Sequence, residues 1–357
     1  MIAGFFHRWE QRLADISRAE RVVRPFEWGL DWLPEGRPPE SAPLSVVRAW
    51  VDSVMADTDA FFTPEPTADY TFTPSRRLNL SPAATGGLGV GPAKGESGVL
   101  TFPSALATPH PENNVVHARF FPAEDKRRAI VVMPQWNSDA GGHIGLAQLL
   151  ARLGISALRL SKPYHDRRMP PELTRADYIV SSNVVRTIQV CRQAVLDTRR
   201  ALWWLRDQGY ERLGLLGTSL GSCLSMLTAS HEPLVRAQAL NHVSPFFADV
   251  VWRGVSTSHV RESLNGSIDL ETLRELWRPI SPWSYLDRAH GRKTLLVYAK
   301  YDLTFPVDLS VKLVDEFRRR GIPIEVAVLP CGHYSTGQAP FKFLDAYYLA
   351  RFLRRNL

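Results

Sequence analysis

Cysteine is scarce in this 357-residue chain, and no long apolar run occurs. The three cysteines, Cys191, Cys223 and Cys331, are too few for a disulfide framework and lack the paired CxxC spacing of structural zinc sites. They favour a reducing compartment, so we expect a cytoplasmic protein. Because no stretch reaches 18 apolar residues, no transmembrane helix is predicted. Charged residues interrupt the N-terminal segment, which therefore does not read as a signal peptide.

Signatures of cofactor binding are also missing. The sequence has no P-loop and no GxGxxG motif after an early strand. Its ten histidines are dispersed and form no HExxH or HxH pair. We therefore expect neither a nucleotide or nicotinamide cofactor nor a metal centre.

Lysine is the rarer basic residue, at seven of 43, and the net charge is +7. The arginine-rich runs are short and scattered, and they lack the interleaved aromatics of a nucleic-acid groove. We therefore predict no nucleic-acid partner. A peripheral membrane protein stays open as an alternative, with Phe5, Phe6 and Trp9 beside Arg8 and Arg12 as an interfacial anchor.

A shift in composition divides the chain. Residues 82–98 are rich in glycine, alanine and proline and lack aromatics, which is typical of a linker. Helical stretches at 5–22 and 44–60 precede it, among Pro-rich turns. We predict that residues 1–94 form an N-terminal helical and irregular appendage that includes the linker. Residues 95–357 form the main domain.

In the main domain, short apolar runs alternate with amphipathic stretches. The predicted strands are 100–106, 114–121, 129–133, 155–160, 213–216, 237–242, 294–298 and 324–329. The predicted helices are 142–153, 183–208, 220–230, 307–320 and 341–355, and either Ser181 or Ser182 could cap the longest of them. This alternation predicts an α/β fold with a mostly parallel central sheet flanked by helices. Ligands bind such sheets at the carboxyl ends of the strands.

The sequence Gly217-Thr218-Ser219-Leu220-Gly221 lies between a predicted strand and a predicted helix. This is the pattern G-x-S-x-G in its required context. A serine in such a strained turn exposes its hydroxyl above the sheet, and the flanking glycines have no Cβ to clash with neighbouring backbone. Ser219 is therefore a candidate nucleophile.

A serine hydroxyl needs a base, and the base needs an orienting acid. Asp302 follows the predicted strand 294–298, and His333 follows the strand 324–329. None of the nine other histidines follows a late strand so well. Asp249 is a rival for the acid, but the aromatic residues before it suggest a covering segment.

The order Ser219, Asp302, His333, each after a strand, resembles that of the α/β-hydrolase-fold serine hydrolases, which include esterases and lipases. The resemblance extends from about residue 95 to the end. It implies that His333 takes the proton from Ser219 while Asp302 orients the imidazole. It also implies that the insertion at about 244–282 forms a lid over the site.

An oxyanion hole needs two backbone N–H donors. The amide of Leu220, directly after the nucleophile, is the first. The resemblance implies that the second comes from Pro134-Gln135-Trp136-Asn137, where family members commonly carry a His-Gly motif that this chain lacks. Proline cannot donate, so we expect Trp136 to be the donor, with Gln135 second.

We therefore predict a serine hydrolase that cleaves an ester-type bond in a small molecule through an acyl-enzyme. Thioester, lactone and carbon–carbon substrates stay open. Aromatics in the lid segment suggest an apolar substrate, although core packing explains them equally. After the strand 155–160, Tyr164, His165 and Arg167 either contact substrate or form a structural loop. The alternative function is a catalytically silent protein of this fold that binds a small molecule or partner.

Overall fold

The structure is a computed structural model that describes residues 2–16, 20–34, 42–75, 97–125 and 127–357. Its centre is a nine-stranded sheet within these residues, in the order β1-β2-β3-β5-β4-β6-β7-β8-β9. The strands are β1 (Thr71–Pro74), β2 (Gly98–Pro103), β3 (Val115–Phe121), β4 (Arg128–Met133), β5 (Ser156–Leu160), β6 (Arg212–Thr218), β7 (Val235–Asn241), β8 (Lys293–Ala299) and β9 (Ile324–Leu329).

Helices follow most of the strands. They are α1 (Ile2–Ile16), α2 (Pro43–Ala56), α3 (Thr58–Phe62), α4 (Ile144–Arg152), α5 (Val184–Asp207), α6 (Leu220–His231), α7 (Phe247–Arg253), α8 (Ser258–Leu264), α9 (Leu270–Leu276), α10 (Val307–Arg319) and α11 (Phe341–Asn356). None of these described helices is long and apolar enough to cross a membrane.

The six strands from β5 to β9 in the sheet order are parallel, and β1, β2 and β3 extend the sheet in antiparallel pairing. Alternate side chains of β4 enter opposite faces: Val131 joins one apolar cluster, whereas Ile130 and Val132 join another. Apolar cores therefore cover both faces of this central strand. The predicted α/β architecture is confirmed.

Most predicted elements occur within a few residues of their expected bounds, and the differences have local causes. Asn183 caps α5, rather than Ser181 or Ser182, because its side chain accepts from the amide of Arg186 at 2.9 Å. The predicted helix 44–60 is divided into α2 and α3 because Asp57 caps the second of these helices.

The N-terminal part packs closely on the main body. Strand β1, which was not predicted, extends the sheet at its edge by pairing with β2. Val51 of α2 and Phe62 of α3 belong to the same apolar cluster as Val131 of β4. The predicted linker residues 82–96 lie outside the described residues, and the division at residue 94 stays a prediction.

The proposed interfacial aromatics on α1 are divided between the interior and the surface. Phe5 is 57% exposed. The Phe6 ring instead stacks on Tyr301, with centroids 4.6 Å apart, and Trp9 lies against Phe341. The predicted anchor therefore does not present all three rings to solvent.

A buried ion pair fixes the loop after β5. The Arg168 guanidinium contacts the Asp197 carboxylate of α5 at 2.8 Å, and both side chains are fully buried. Arg168 also donates to the carbonyls of Asn113 and Ser161. This network ties the end of β5 to the start of β3 and to the longest helix.

Removing one partner of this pair should destabilise the protein strongly, because the other charge stays buried without compensation. We expect Arg168→Met to lower the free energy of unfolding by about 3–5 kcal/mol. The adjacent Arg167 is exposed, so Arg167→Met should change it by less than about 0.5 kcal/mol. Urea unfolding followed by circular dichroism measures both, and equal losses would contradict this role of Arg168.

Candidate active site

Ser219 lies in a strained turn between β6 and α6. Its backbone has φ 57° and ψ −121°, a conformation that a residue with a side chain rarely adopts. The Ser219 amide donates to the carbonyl of Asn241 at the end of β7, at 2.7 Å. The turn thus holds the side chain above the carboxyl edge of the sheet.

The two glycines of the motif allow close backbone packing. A Cβ at Gly217 would lie 2.2 Å from the carbonyl oxygen of Gly221. A Cβ at Gly221 would lie 2.1 Å from the carbonyl oxygen of Met133, at the end of β4. A larger residue at position 217 would clash with the start of α6, and one at position 221 would clash with the end of β4, which explains the glycines on either side of Ser219.

Ser219, His333 and Asp302 lie in one hydrogen-bonded chain. His333 Nε2 is 3.1 Å from Ser219 Oγ, and His333 Nδ1 is 2.9 Å from Asp302 Oδ2. The other oxygen of Asp302 accepts the amides of Thr304 and Phe305, at 2.8 and 2.7 Å. The structure therefore brings together the three residues that the sequence analysis selected.

The contact between Asp302 and His333 shifts their pKa values in opposite directions. Burial opposes a charged His333, but the neighbouring Asp302 carboxylate outweighs it, so the pKa of His333 is raised. Burial also opposes a charged Asp302, but the charge and hydrogen bonds of the imidazoles outweigh it and lower its pKa. Asp302 is therefore ionised at neutral pH, and its charge favours the imidazolium that forms when His333 accepts a proton.

The sequence analysis missed a second histidine. His242 follows β7 directly, has a φ of 57°, and places Nδ1 3.0 Å from the same Asp302 Oδ2. Burial and the nearby His333 lower the pKa of His242. His242 therefore serves as a neutral donor that helps to hold the carboxylate. The predicted strand 237–242 included His242, and its position just after β7 appears only in the structure.

The rival acid Asp249 belongs to another interaction. It lies on α7, where the Arg274 side chain donates to both of its oxygens at 2.6–2.7 Å. His333 instead contacts Asp302, as predicted first.

His242, Asp302 and His333 also form a group whose ligand atoms lie within 4.8 Å of one another, as in many metal sites. Both Nδ1 atoms lie at hydrogen-bonding distance from one carboxylate oxygen. If each Nδ1 carries a proton and donates it to this oxygen, two hydrogen bonds account for the geometry without an ion. The three side chains therefore fit a hydrogen-bonded network better than a metal centre.

The loop after β4 borders Ser219. Gln135, Trp136 and Leu220 line the same cavity as Ser219. Their backbone N–H groups donate to no other residue in the described part of the chain. These three amides are therefore available to a ligand. The assignment of an oxyanion hole to them stays a prediction.

Side chains after β5 support this loop. His165 is buried, and its Nε2 accepts the amide of Asn137 at 3.1 Å. The buried Lys162 donates to the carbonyl of Gln135 at 3.0 Å. Tyr164 is buried against His110, and Arg167 is exposed. None of Tyr164, His165 and Arg167 lines the described cavity, so the structural interpretation of this loop is favoured.

A cavity of about 450 Å³ opens beside Ser219. Its apolar wall comes from Val180, Cys223, Phe247, Val250, Val251 and Phe305, and its ionisable side chains include Arg21, Arg175, Lys342 and Asp345. This volume suits a small molecule.

Helices α7 to α9 occupy most of the segment that was predicted to be a lid. Phe247 and Val250 of α7 line the cavity, whereas Trp277 is fully buried in the core and Trp283 packs on Phe246. The aromatics of this segment therefore serve mainly in packing. Movement of the segment as a lid stays a prediction.

Residues 143–278 match the family described as Alpha/beta hydrolase domain containing 18. The sequence matches none of the curated proteins. Acetyl xylan esterase 1 from Thermoanaerobacterium sp. JW/SL YS485 is similar in structure, with a TM-score of 0.59 at 15% identity over 88% of this chain and 99% of that one. The acetyl xylan esterase from Paenibacillus sp. R4 also has a TM-score of 0.59, at 14% identity over 92% and 98%.

The acylaminoacyl peptidase of Pyrococcus horikoshii has a TM-score of 0.55 at 15% identity. The match covers 68% of this chain but only 40% of the peptidase. At these identities the similarity concerns the fold. Together with the family match over residues 143–278, it shows that this chain has the α/β-hydrolase fold.

Proposed function

We propose that this protein is a serine hydrolase that cleaves an ester-type bond in a small molecule. The observation that carries the proposal is the continuous chain from Ser219 Oγ through His333 to Asp302, with links of 3.1 and 2.9 Å. The esterase and peptidase neighbours support hydrolysis as the reaction class.

In the proposed mechanism, Ser219 Oγ attacks the ester carbonyl carbon while His333 Nε2 takes its proton. The carbonyl π bond breaks and its electron pair moves to oxygen, giving a tetrahedral intermediate. When this collapses, the alcohol leaves with the proton from His333, and the acyl group stays on Ser219. Water then attacks the acyl carbon while His333 takes its proton, and the acid leaves as Ser219 Oγ regains a proton from His333. Asp302 holds the imidazole tautomer and stabilises the imidazolium.

The developing oxyanion needs preorganised donors. We assign this role to the amide of Leu220 together with that of Trp136 or Gln135. His165 and Lys162 hold the loop that carries the last two amides. This support replaces the His-Gly motif that the chain lacks. The cavity volume and its apolar wall favour a small acyl or alcohol group beside Ser219.

Ser219 should be the residue that reacts with a fluorophosphonate probe. We expect labelling of the wild type and none of Ser219→Ala, because the activated hydroxyl forms the covalent bond. Ser230→Ala removes a hydroxyl at the far end of the same helix and should leave labelling unchanged. Equal labelling of Ser219→Ala would refute the nucleophile. A folded wild type that does not label would favour the silent binding protein.

Ser219 and His333 should act as one unit. We expect Ser219→Ala and His333→Ala each to lose nearly as much kcat as the double variant, because neither group accelerates the reaction alone. Steady-state hydrolysis of p-nitrophenyl acetate by all four proteins provides the test. Losses that multiply in the double variant would show that the two side chains work independently.

The pH profile should report the His333–Asp302 contact. His333 must be neutral to accept a proton, so kcat/KM falls as pH drops through its pKa. Because that pKa is raised by Asp302, we expect the midpoint of the acidic limb above the ordinary histidine value of about 6.5. Asp302→Asn removes the raising charge and should move the limb to lower pH, with a much lower rate. A limb at unchanged pH in folded Asp302→Asn would contradict this contact.

A further inference from the structure

The carboxylate of Glu10, on the N-terminal helix α1, is enclosed by the loop that carries His333. Its oxygens accept the amides of Tyr334 and Ser335, both at 2.8 Å, and the Ser335 hydroxyl at 2.5 Å. The Ser335 hydroxyl in turn accepts the amide of Gly332 at 2.8 Å. Glu10 therefore holds the backbone after His333 directly and the backbone before it through the Ser335 hydroxyl.

The Glu10 side chain is buried tightly against the loop that carries His333. Glu10 is fully buried, and no lysine or arginine in the described ranges forms an ion pair with it. A Cβ on Gly332 would lie 2.2 Å from the Glu10 carboxyl carbon, so the residue before His333 must be glycine while Glu10 is there. A buried carboxylate is costly unless it is hydrogen-bonded, and here the His333 loop supplies the donors.

The same helix also touches the loop that carries the acid. The Phe6 ring lies flat on Tyr301, one residue before Asp302, with an interplanar angle of 5°. Phe6 and Glu10 are four residues apart, so they lie on the same face of α1. One face of this helix therefore contacts both the acid loop and the base loop.

We propose that Glu10, on α1, is a positioning residue for His333. This inference rests on the proposed function and extends it. Glu10 does not contact Ser219 and is not itself one of the residues that line the cavity, so it acts through the loop. Its two effects are to fix the His333 backbone and to place a negative charge near the imidazole.

The negative charge of Glu10 shifts the pKa of His333 in a known direction. Burial lowers the pKa of His333, and the charges of Asp302 and, to a smaller extent, Glu10 raise it. Removing the Glu10 charge should therefore move the acidic limb of kcat/KM to lower pH. Among the described residues, the other titratable or charged groups around His333 are His242, which is neutral, and Tyr334, whose hydroxyl accepts from Arg21. The cavity that His333 lines also contains His143, Arg175, Lys342 and Asp345, and burial raises the pKa of Asp345 to about 7.

The test compares variants of the full chain with p-nitrophenyl acetate. In Glu10→Gln we expect kcat to fall about tenfold, because small displacements of a catalytic group are costly, and KM to stay within about twofold. The acidic limb should move to lower pH. Asp15→Asn removes one negative charge from an exposed position on the same helix and should leave kcat and the limb unchanged.

Ser335→Ala separates geometry from charge and replaces Glu10→Gln if that variant does not fold. It removes the hydroxyl between Glu10 and Gly332 but keeps the carboxylate, so kcat should fall while the limb stays in place. Thermal unfolding checks that each variant is folded. Folded Glu10→Gln with the kcat and limb of Asp15→Asn would overturn the proposal. So would folded Ser335→Ala with the wild-type kcat. A failure of the proposed function would instead appear in the wild type, as absent labelling and hydrolysis.

Discussion

The hydrogen bonding of one buried carboxylate, that of Asp302, ties the site together. A buried anion is tolerated only when donors satisfy it. Two backbone amides of its own turn satisfy one oxygen, and the imidazoles of His242 and His333 satisfy the other. These imidazoles come from the loops after β7 and β9. The three loops therefore meet at one charge, which also fixes the direction in which His333 faces Ser219.

A steric constraint links this relay to the opposite side of the site. Because Gly221 has no side chain, the start of α6 packs directly on the end of β4. The strained turn at Ser219 and the loop at Gln135 and Trp136 consequently share one backbone contact. Ser219 and the proposed oxyanion donors therefore keep fixed positions relative to each other. Glu10 of the N-terminal helix, which lies outside the sheet, accepts hydrogen bonds from the loop that carries His333.

The sequence predicted what depends on local pattern. Apolar runs and the G-x-S-x-G motif located the strands and the turn at Ser219, and strand ends led to Asp302 and His333. Glu10 and His242 were missed because their roles depend on contacts between distant segments. Glu10 is a charged helix residue by pattern, and its burial appears only when α1 meets a loop 325 residues away. Strand β1 is short and largely exposed, so it lacks the apolar pattern of the central strands.

In the proposed reaction an acyl group passes through Ser219. The most direct test is rapid mixing with p-nitrophenyl acetate, an activated ester that should acylate Ser219 quickly. Release of p-nitrophenol is followed together with the mass of the quenched protein. We expect a burst of about one p-nitrophenol per chain. We also expect one acetyl group, on the peptide that contains Ser219. Steady release with no bound acetyl group, or an acetyl group on another side chain during turnover, would contradict this reaction.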